Sequence, residues 1–133
     1  MTAANRSIKF GHVGLNCLDV EATERFYARF FGFSRDHEIM LGDNRLVFVS
    51  SGDVVFELFG AKGRQTPAQD ATGPTVSGFR HLALQVDDVA TILAAVEGVA
   101  EITQGPLDLS EYGLSSAIAW LRDPDGRILE IYQ

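Results

Sequence analysis

One stretch of sequence occurs twice in this chain, first as Phe10-Gly11-His12-Val13-Gly14-Leu15-Asn16-Cys17 and again as Phe79-Arg80-His81-Leu82-Ala83-Leu84-Gln85-Val86. Phe and His occupy the same places in both copies. Each copy leads into an Asp followed by apolar residues spaced by three and four, which predicts an amphipathic helix with an Asp N-cap. Gly32 and Gly98 are natural ends for these helices. An internal repeat of this kind predicts two copies of one structural unit.

The two copies also end alike, on an apolar strand with a carboxylate at its centre. Val55-Phe56-Glu57-Leu58-Phe59 matches Ile128-Leu129-Glu130-Ile131-Tyr132. Between the helix and this last strand, each copy holds material for two more strands, at 34–40 and 45–50, and at about 101–104 and 116–122. We therefore predict an α+β fold of two tandem βαβββ modules. Their eight strands are expected to form one curved mixed sheet around a central cavity.

A single domain is expected over residues 1–133. The chain is 46% hydrophobic and 22% charged, which is typical of globular proteins, and it is long enough to bury a substantial core. We place module one at about 7–59 and module two at about 79–132. The stretch 60–78 between them contains Pro67 and Pro74 with several glycines, and we interpret it as a linker.

The charge balance excludes several classes of partner. The formal net charge is −7 and no run of Lys or Arg offsets it, so binding to nucleic acid is disfavoured.

There is no apolar run long enough for a membrane span and no signal-peptide pattern. The single cysteine, Cys17, excludes an internal disulfide and suits a reducing compartment. We expect a soluble, cytoplasmic protein that acts on a small molecule.

The repeated His and Glu residues are the candidate functional site. Alternation along the strands places each His on a face with small or polar residues, which is typical of a cavity lining. A carboxylate within an apolar strand is costly to bury unless it is paired or bound to a cation. If the modules pack with pseudo-twofold symmetry, four side chains converge: His12, Glu57, His81 and Glu130. Two imidazoles and two carboxylates suit one divalent ion of Zn, Ni, Co, Mn or Fe.

Other residues carry simpler interpretations. His37 lies beside Asp36 and Glu38, so we expect a solvated or ion-paired imidazole. Phe48 and Trp120 fall on predicted strands, where most aromatic residues belong to the core and a few line cavities.

The whole chain resembles the vicinal oxygen chelate superfamily, also called the glyoxalase/bleomycin resistance/dioxygenase superfamily. The resemblance rests on the two His segments, on Phe56-Glu57-Leu58 and above all on the stretch from Asp123-Pro124-Asp125-Gly126 to Glu130. In this family, paired βαβββ modules surround a metal that chelates two vicinal oxygens of the substrate. Four residues match the ligand positions of glyoxalase I: His12, Glu57, His81 and Glu130. The resemblance also implies a homodimer, in some members with modules exchanged so that the ligands come from two chains.

The function that this resemblance implies is that of a metal-dependent, glyoxalase-like lyase or isomerase. The metal would hold a small carbonyl substrate with vicinal oxygens, and Glu57 or Glu130 would transfer a proton by way of an enediolate. Two alternatives stay open: an antibiotic-like small-molecule binding or resistance protein, and an Fe(II) extradiol-type dioxygenase. Glu57 distinguishes them, because proton transfer uses a second carboxylate that binding or dioxygen activation does not need.

Overall fold

A computed structural model of the chain describes residues 7–63, 74 and 77–133. Module one runs in the order strand, helix and three strands: β1 (Val13–Cys17), α1 (Val20–Phe31), β2 (Ser34–Leu41), β3 (Asn44–Ser51) and β4 (Val54–Gly60). Module two repeats this order: β5 (Leu82–Gln85), α2 (Val89–Val96), β6 (Ile102–Leu107), β7 (Ile118–Arg122) and β8 (Ile128–Tyr132). A short 3-10 helix, Ser110–Tyr112, lies between β6 and β7. Most of the linker expected at 60–78 falls outside the described residues.

The strand order is the same in both modules and confirms the α+β class with two βαβββ units. The eight strands form two sheets of four, in the orders β1-β4-β3-β2 and β5-β8-β7-β6. The first strand of each module pairs in parallel with the last, and the remaining pairs are antiparallel. β1 and β5 are therefore edge strands, each hydrogen-bonded on one side to the strand that carries the repeated Glu.

Helix α1 begins and ends where its local sequence directs. The Asp19 side chain accepts a hydrogen bond from the Ala22 amide at 3.1 Å, and Gly32 adopts a left-handed conformation with φ 68°. One face of the helix is buried: Val20, Thr23, Phe26, Tyr27 and Phe30. This face covers β3 and β4, and it leaves the opposite face of the sheet to carry the His and Glu side chains. No helix in the described ranges has the length and apolar character needed to cross a bilayer.

The turn between β7 and β8 joins module two to module one. The Asp123 side chain is fully buried and accepts hydrogen bonds from the Tyr27 hydroxyl at 2.9 Å and from Arg127 Nη1 at 2.8 Å. Arg127 Nη2 donates in turn to the carbonyl of Asn16, on β1. Burial, with the Asp123 charge beside it, holds the pKa of the Tyr27 phenol well above its usual value. Tyr27 therefore stays a neutral hydrogen-bond donor.

A second carboxylate of the same turn strengthens this junction. Asp125 accepts hydrogen bonds from the Leu18 amide at 2.9 Å and from the Thr23 hydroxyl at 3.1 Å. Cys17 lies fully buried beside these groups, with Sγ 3.9 Å from Arg127 Nη2. Burial raises the pKa of the Cys17 thiol, as expected for an unreactive, buried cysteine. The Asp123–Arg127 turn thus fixes the position of module two against α1 and β1.

Candidate metal centre

The first His and Glu pair lies at the edge of the module-one sheet. Glu57 is on β4, directly opposite Gly14 of β1, and His12 immediately precedes β1. His12 Nε2 lies 3.2 Å from Glu57 Oε2. The Glu57 side chain is 16% exposed and that of His12 is 49% exposed, so the carboxylate is the more enclosed partner.

Module two repeats this arrangement with a more enclosed imidazole. Glu130 is opposite Ala83, and His81 Nε2 lies 3.4 Å from Glu130 Oε1. The side chains of His81 and Glu130 are 22% and 18% exposed. Nδ1 of His81 is buried without a hydrogen-bond partner among the described residues. Nε2, which faces the carboxylate, is therefore the nitrogen left to bind a ligand.

Both histidines lie one residue before the strand on which the sequence places them. The β1–β4 pairing begins at Val13, and the described part of β5 begins at Leu82. This position frees each imidazole to turn toward the Glu of the neighbouring strand. The expected side-chain alternation is present, since Leu15 and Cys17 are buried while Gly14 and Asn16 are exposed.

The spacing within each pair fits two ligands of a single ion. Ligands about 2.1 Å from a metal are separated by about 3.0 Å at right angles and by about 3.4 Å at the tetrahedral angle. The two observed separations, 3.2 and 3.4 Å, match this range. One nitrogen and one carboxylate oxygen per pair is also a donor set that divalent transition metals accept.

Within one chain, the two pairs remain separate. Across the described ranges, no three His, Cys, Asp or Glu side chains lie close enough together to hold a metal ion. A cavity of about 650 Å³ between β1 and β5 is nevertheless lined by both histidines, together with Phe10, Phe79 and Arg127. The structure thus contains two half-sites, each consisting of the Glu and the His of one module. Both His residues line the same cavity.

The strand register places an aromatic residue beside each of the two carboxylates. Glu57 is paired with Phe48 of β3, and Glu130 is paired with Trp120 of β7. From the sequence, Phe48 and Trp120 were expected to belong to the core or to line the cavity, and both are partly buried beside the candidate site. The sequence did contain a signal for this pairing. Phe48 and Trp120 each lie on the strand before the one that carries the Glu, at the position that a hairpin places directly opposite that Glu. The Asp123–Arg127 junction was missed too, since its partners lie far apart in sequence.

Comparison with known proteins decides the family. A family model described as the Glyoxalase/Bleomycin resistance protein/Dioxygenase superfamily matches residues 9–131. The chain belongs to this superfamily. The sequence-based identification is therefore confirmed, and the repeated His and Glu residues lie within the matched region.

Individual members of the superfamily show how widely the fold is shared. The chain is 27% identical over 129 residues to the uncharacterized protein YaeR of Escherichia coli K12, covering 92% of this chain and 93% of YaeR. It is similar to the trypanothione-dependent glyoxalase I of Leishmania major, with TM-score 0.71, 22% identity and coverage of 96% and 87%.

A third similar structure is a variant of the fosfomycin resistance protein FosX from Listeria monocytogenes, complexed with Mn(II) and 1S,2S-dihydroxypropylphosphonic acid. Its TM-score is 0.74 at 11% identity, with coverage of 96% of this chain and 92% of that one. At these identities, the glyoxalase I and FosX structures demonstrate a common fold.

Proposed function

We propose that this protein is a metal-dependent lyase or isomerase of the glyoxalase type, acting on a small carbonyl substrate with two neighbouring oxygens. The observation that carries the proposal is the His–Glu pair present in each module, with the separation that two ligands of one ion require. Four residues would hold the ion: His12, Glu57, His81 and Glu130. A protein that only binds a small molecule needs neither carboxylate. The presence of both Glu57 and Glu130 therefore favours proton transfer.

The proposed mechanism is a proton shift between neighbouring carbons. The four ligand residues would hold a divalent cation, which when bound would supply stabilisation of the negative charge on two neighbouring substrate oxygens. Glu57 or Glu130 accepts the proton from the carbon beside the carbonyl group and returns it to the adjacent carbon. No atom is gained or lost, so the net reaction is an isomerisation. Both carboxylates are mostly enclosed but keep 16% and 18% exposure, so a proton held on either can exchange with solvent before it is returned.

A second copy of the chain is proposed to complete the site. The two half-sites of one chain would each face the complementary half-site of the other. Large apolar side chains at the cavity support this arrangement, since Phe10 is 83% and Phe79 is 99% exposed. Covering apolar surface of this kind stabilises association by about 25 cal/mol per Å² buried.

Metal binding should be visible as thermal stabilisation. Zn²⁺, Ni²⁺ or Mn²⁺ present at one hundred times its dissociation constant is expected to stabilise the protein by about 2.7 kcal/mol. The His12→Ala and His81→Ala variants, which each remove a ligand atom outright, should lose most of this gain and should not retain stoichiometric metal in elemental analysis. His37→Ala, which removes an exposed imidazole outside the half-sites, is the matched control. A wild-type protein without bound metal and without stabilisation by any of these ions would refute the metal site.

Mixing two inactive variants tests whether two chains share each site. In a dimer of one His12→Ala chain and one His81→Ala chain, shared sites would leave one site without either imidazole and the other complete. The isolated heterodimer should then have about half of the metal content and activity of wild type, and an unseparated co-expressed mixture about a quarter, since activity follows the number of complete sites. No recovery, with heterodimers demonstrated by differential tagging, would show that each chain builds its own site.

The reaction class is tested by parallel assays of the metal-loaded protein. Hemithioacetal isomerisation, 2-acyl-CoA epimerisation and catechol cleavage are measured side by side. Incorporation of solvent deuterium without oxygen uptake would support proton transfer. Oxygen consumption by the iron-loaded protein would instead support a dioxygenase, and tight binding without turnover would support a binding or resistance protein.

A further inference from the structure

His37 lies on the same face of the module-one sheet as Glu57, two strands away. The register pairs His37 with Phe48 and Phe48 with Glu57, and directly paired residues project to the same side. Val47 and Val49, on either side of Phe48, are buried toward α1. The helix therefore occupies the opposite face, and His37 shares its face with the candidate metal centre.

Stacking on Phe48 holds the His37 ring in a defined orientation. The two ring centroids are 4.4 Å apart and the planes are inclined by 10°. The edge of Phe48 also meets the His12 ring, with centroids 6.4 Å apart. Phe48 thus lies between the imidazole of the half-site and the imidazole of His37. His37 is exposed to solvent, and the contact with Phe48 limits the rotation of its side chain.

Of the two alternatives predicted for His37, a solvated or an ion-paired imidazole, the described part of the structure shows the solvated one. No hydrogen bond or ion pair joins the His37 side chain to any described residue. Its acidic neighbours are engaged elsewhere: Asp36 accepts from the Ser50 hydroxyl at 2.9 Å, and Glu38 pairs with Arg45 and Arg35. A stacked imidazole with an N–H that meets no acceptor among the described residues is thus available as a hydrogen-bond donor.

Module two contains a related arrangement. Gln104 of β6 is paired with Trp120, which is paired with Glu130. Each module therefore presents a carboxylate, then an aromatic side chain, then a side chain with N–H donors. Because this row recurs in both modules, we infer that its outer donor, His37 or Gln104, belongs to the candidate site. The two rows differ at this position, since only module one has an imidazole there.

We propose that His37 is a substrate-binding residue that takes a carboxylate at the far end of the substrate, alongside Phe48. Neighbouring strands are about 4.8 Å apart, so a group at His37 lies about 10 Å across the sheet from Glu57. An oxyanion is the acceptor that a histidine N–H binds most strongly. The proposal rests on the proposed function, because it locates the reacting carbons at Glu57.

Matched thiols test the proposal with chains of the required length. Methylglyoxal hemithioacetals of 6-mercaptohexanoate and 6-mercaptohexanol differ only in the terminal group, and that of mercaptoacetate is too short to reach His37. Wild type should have a KM about tenfold lower for the hexanoate than for the hexanol, the effect of one hydrogen bond to a charged group, and no such advantage for mercaptoacetate. His37→Phe keeps the stacking and should abolish the preference with kcat unchanged. His37→Gln keeps a donor and should retain most of it, and Asp36→Asn is the neighbouring control.

A direct binding measurement separates this proposal from the proposed function. The chain has three histidines, so its imidazole NMR signals are few, and that of His37 is identified by its loss in His37→Phe. The signal should shift on titration with 6-mercaptohexanoate and not with 6-mercaptohexanol. A carboxylate-specific shift, with neither hemithioacetal isomerisation nor 2-acyl-CoA epimerisation by the metal-loaded protein, would support the binding residue and refute the proposed function. Equal use of both thiols with no shift of the His37 signal would overturn the inference.

Discussion

Glutamine in place of Glu57 or Glu130, whichever is the proposed proton acceptor, should lower turnover by about 10²- to 10⁴-fold. This is the usual contribution of a general acid–base. Glu57→Gln and Glu130→Gln both keep the size of the side chain and one oxygen that can bind a cation, but neither can accept a proton. The variant that removes the base should bind metal and substrate while losing turnover and deuterium incorporation. The other should lose activity in proportion to its loss of metal.

The control for this experiment is Glu101→Gln, which changes a carboxylate that is 67% exposed and pairs with Arg122 on the surface. It should turn over at the wild-type rate. Wild-type turnover in both metal-loaded site variants would refute proton transfer by either carboxylate and would return the protein to the binding class.

Replacing Asp123 with Asn should lower the free energy of unfolding by about 3–5 kcal/mol, the cost of removing one partner from a buried ion pair. The amide would direct N–H donors at the Tyr27 hydroxyl and at Arg127, which now donate to the buried carboxylate. The Arg127 side chain is only 20% exposed, so water cannot fully compensate its charge. Urea unfolding with an unchanged m-value measures the loss.

Glu101→Gln is again the comparison: the carboxylate that it replaces is 67% exposed, and Arg122 keeps its hydrogen bond from Nη1 to the Gly126 carbonyl, so the change should cost less than about 1 kcal/mol. Equal stability of Asp123→Asn and wild type would mean that the junction between modules adds nothing to the folded state.

Local chemistry in the sequence determines most of the fold. Asp19 and Gly32 specify the ends of α1, because N-cap acceptors and left-handed glycines act within a few residues. The prediction for β6 was too short, ending at Gln104 where the strand continues to Leu107. A Cβ at Gly105 would lie 2.6 Å from the Ile118 carbonyl. Close contact with β7, rather than a turn, accounts for this glycine.

The candidate site was predictable within each module but not between modules. Alternation along a strand and the repeated His and Glu positions suffice to bring His81 near Glu130, because both depend on pairing inside one sheet. How the two sheets pack is decided by Asp123, Asp125 and Arg127, whose partners on α1 and β1 lie about a hundred residues away. No periodic pattern specifies such contacts. The sequence alone therefore could not show whether the four candidate ligands converge within one chain.

The junction made by the Asp123–Arg127 turn bears on the ancestry of the protein. The corresponding turn of module one, at Gly52 and Asp53, makes no side-chain hydrogen bond to module two within the described residues. A pair of identical ancestral halves would have made this contact twice, whereas here a single copy has kept or gained it. Selection can therefore act on the two turns independently, and an insertion at Gly52 is free of a constraint that any insertion between Asp123 and Arg127 would meet. The two turns therefore differ in their tolerance of change, although the modules that carry them share one strand order.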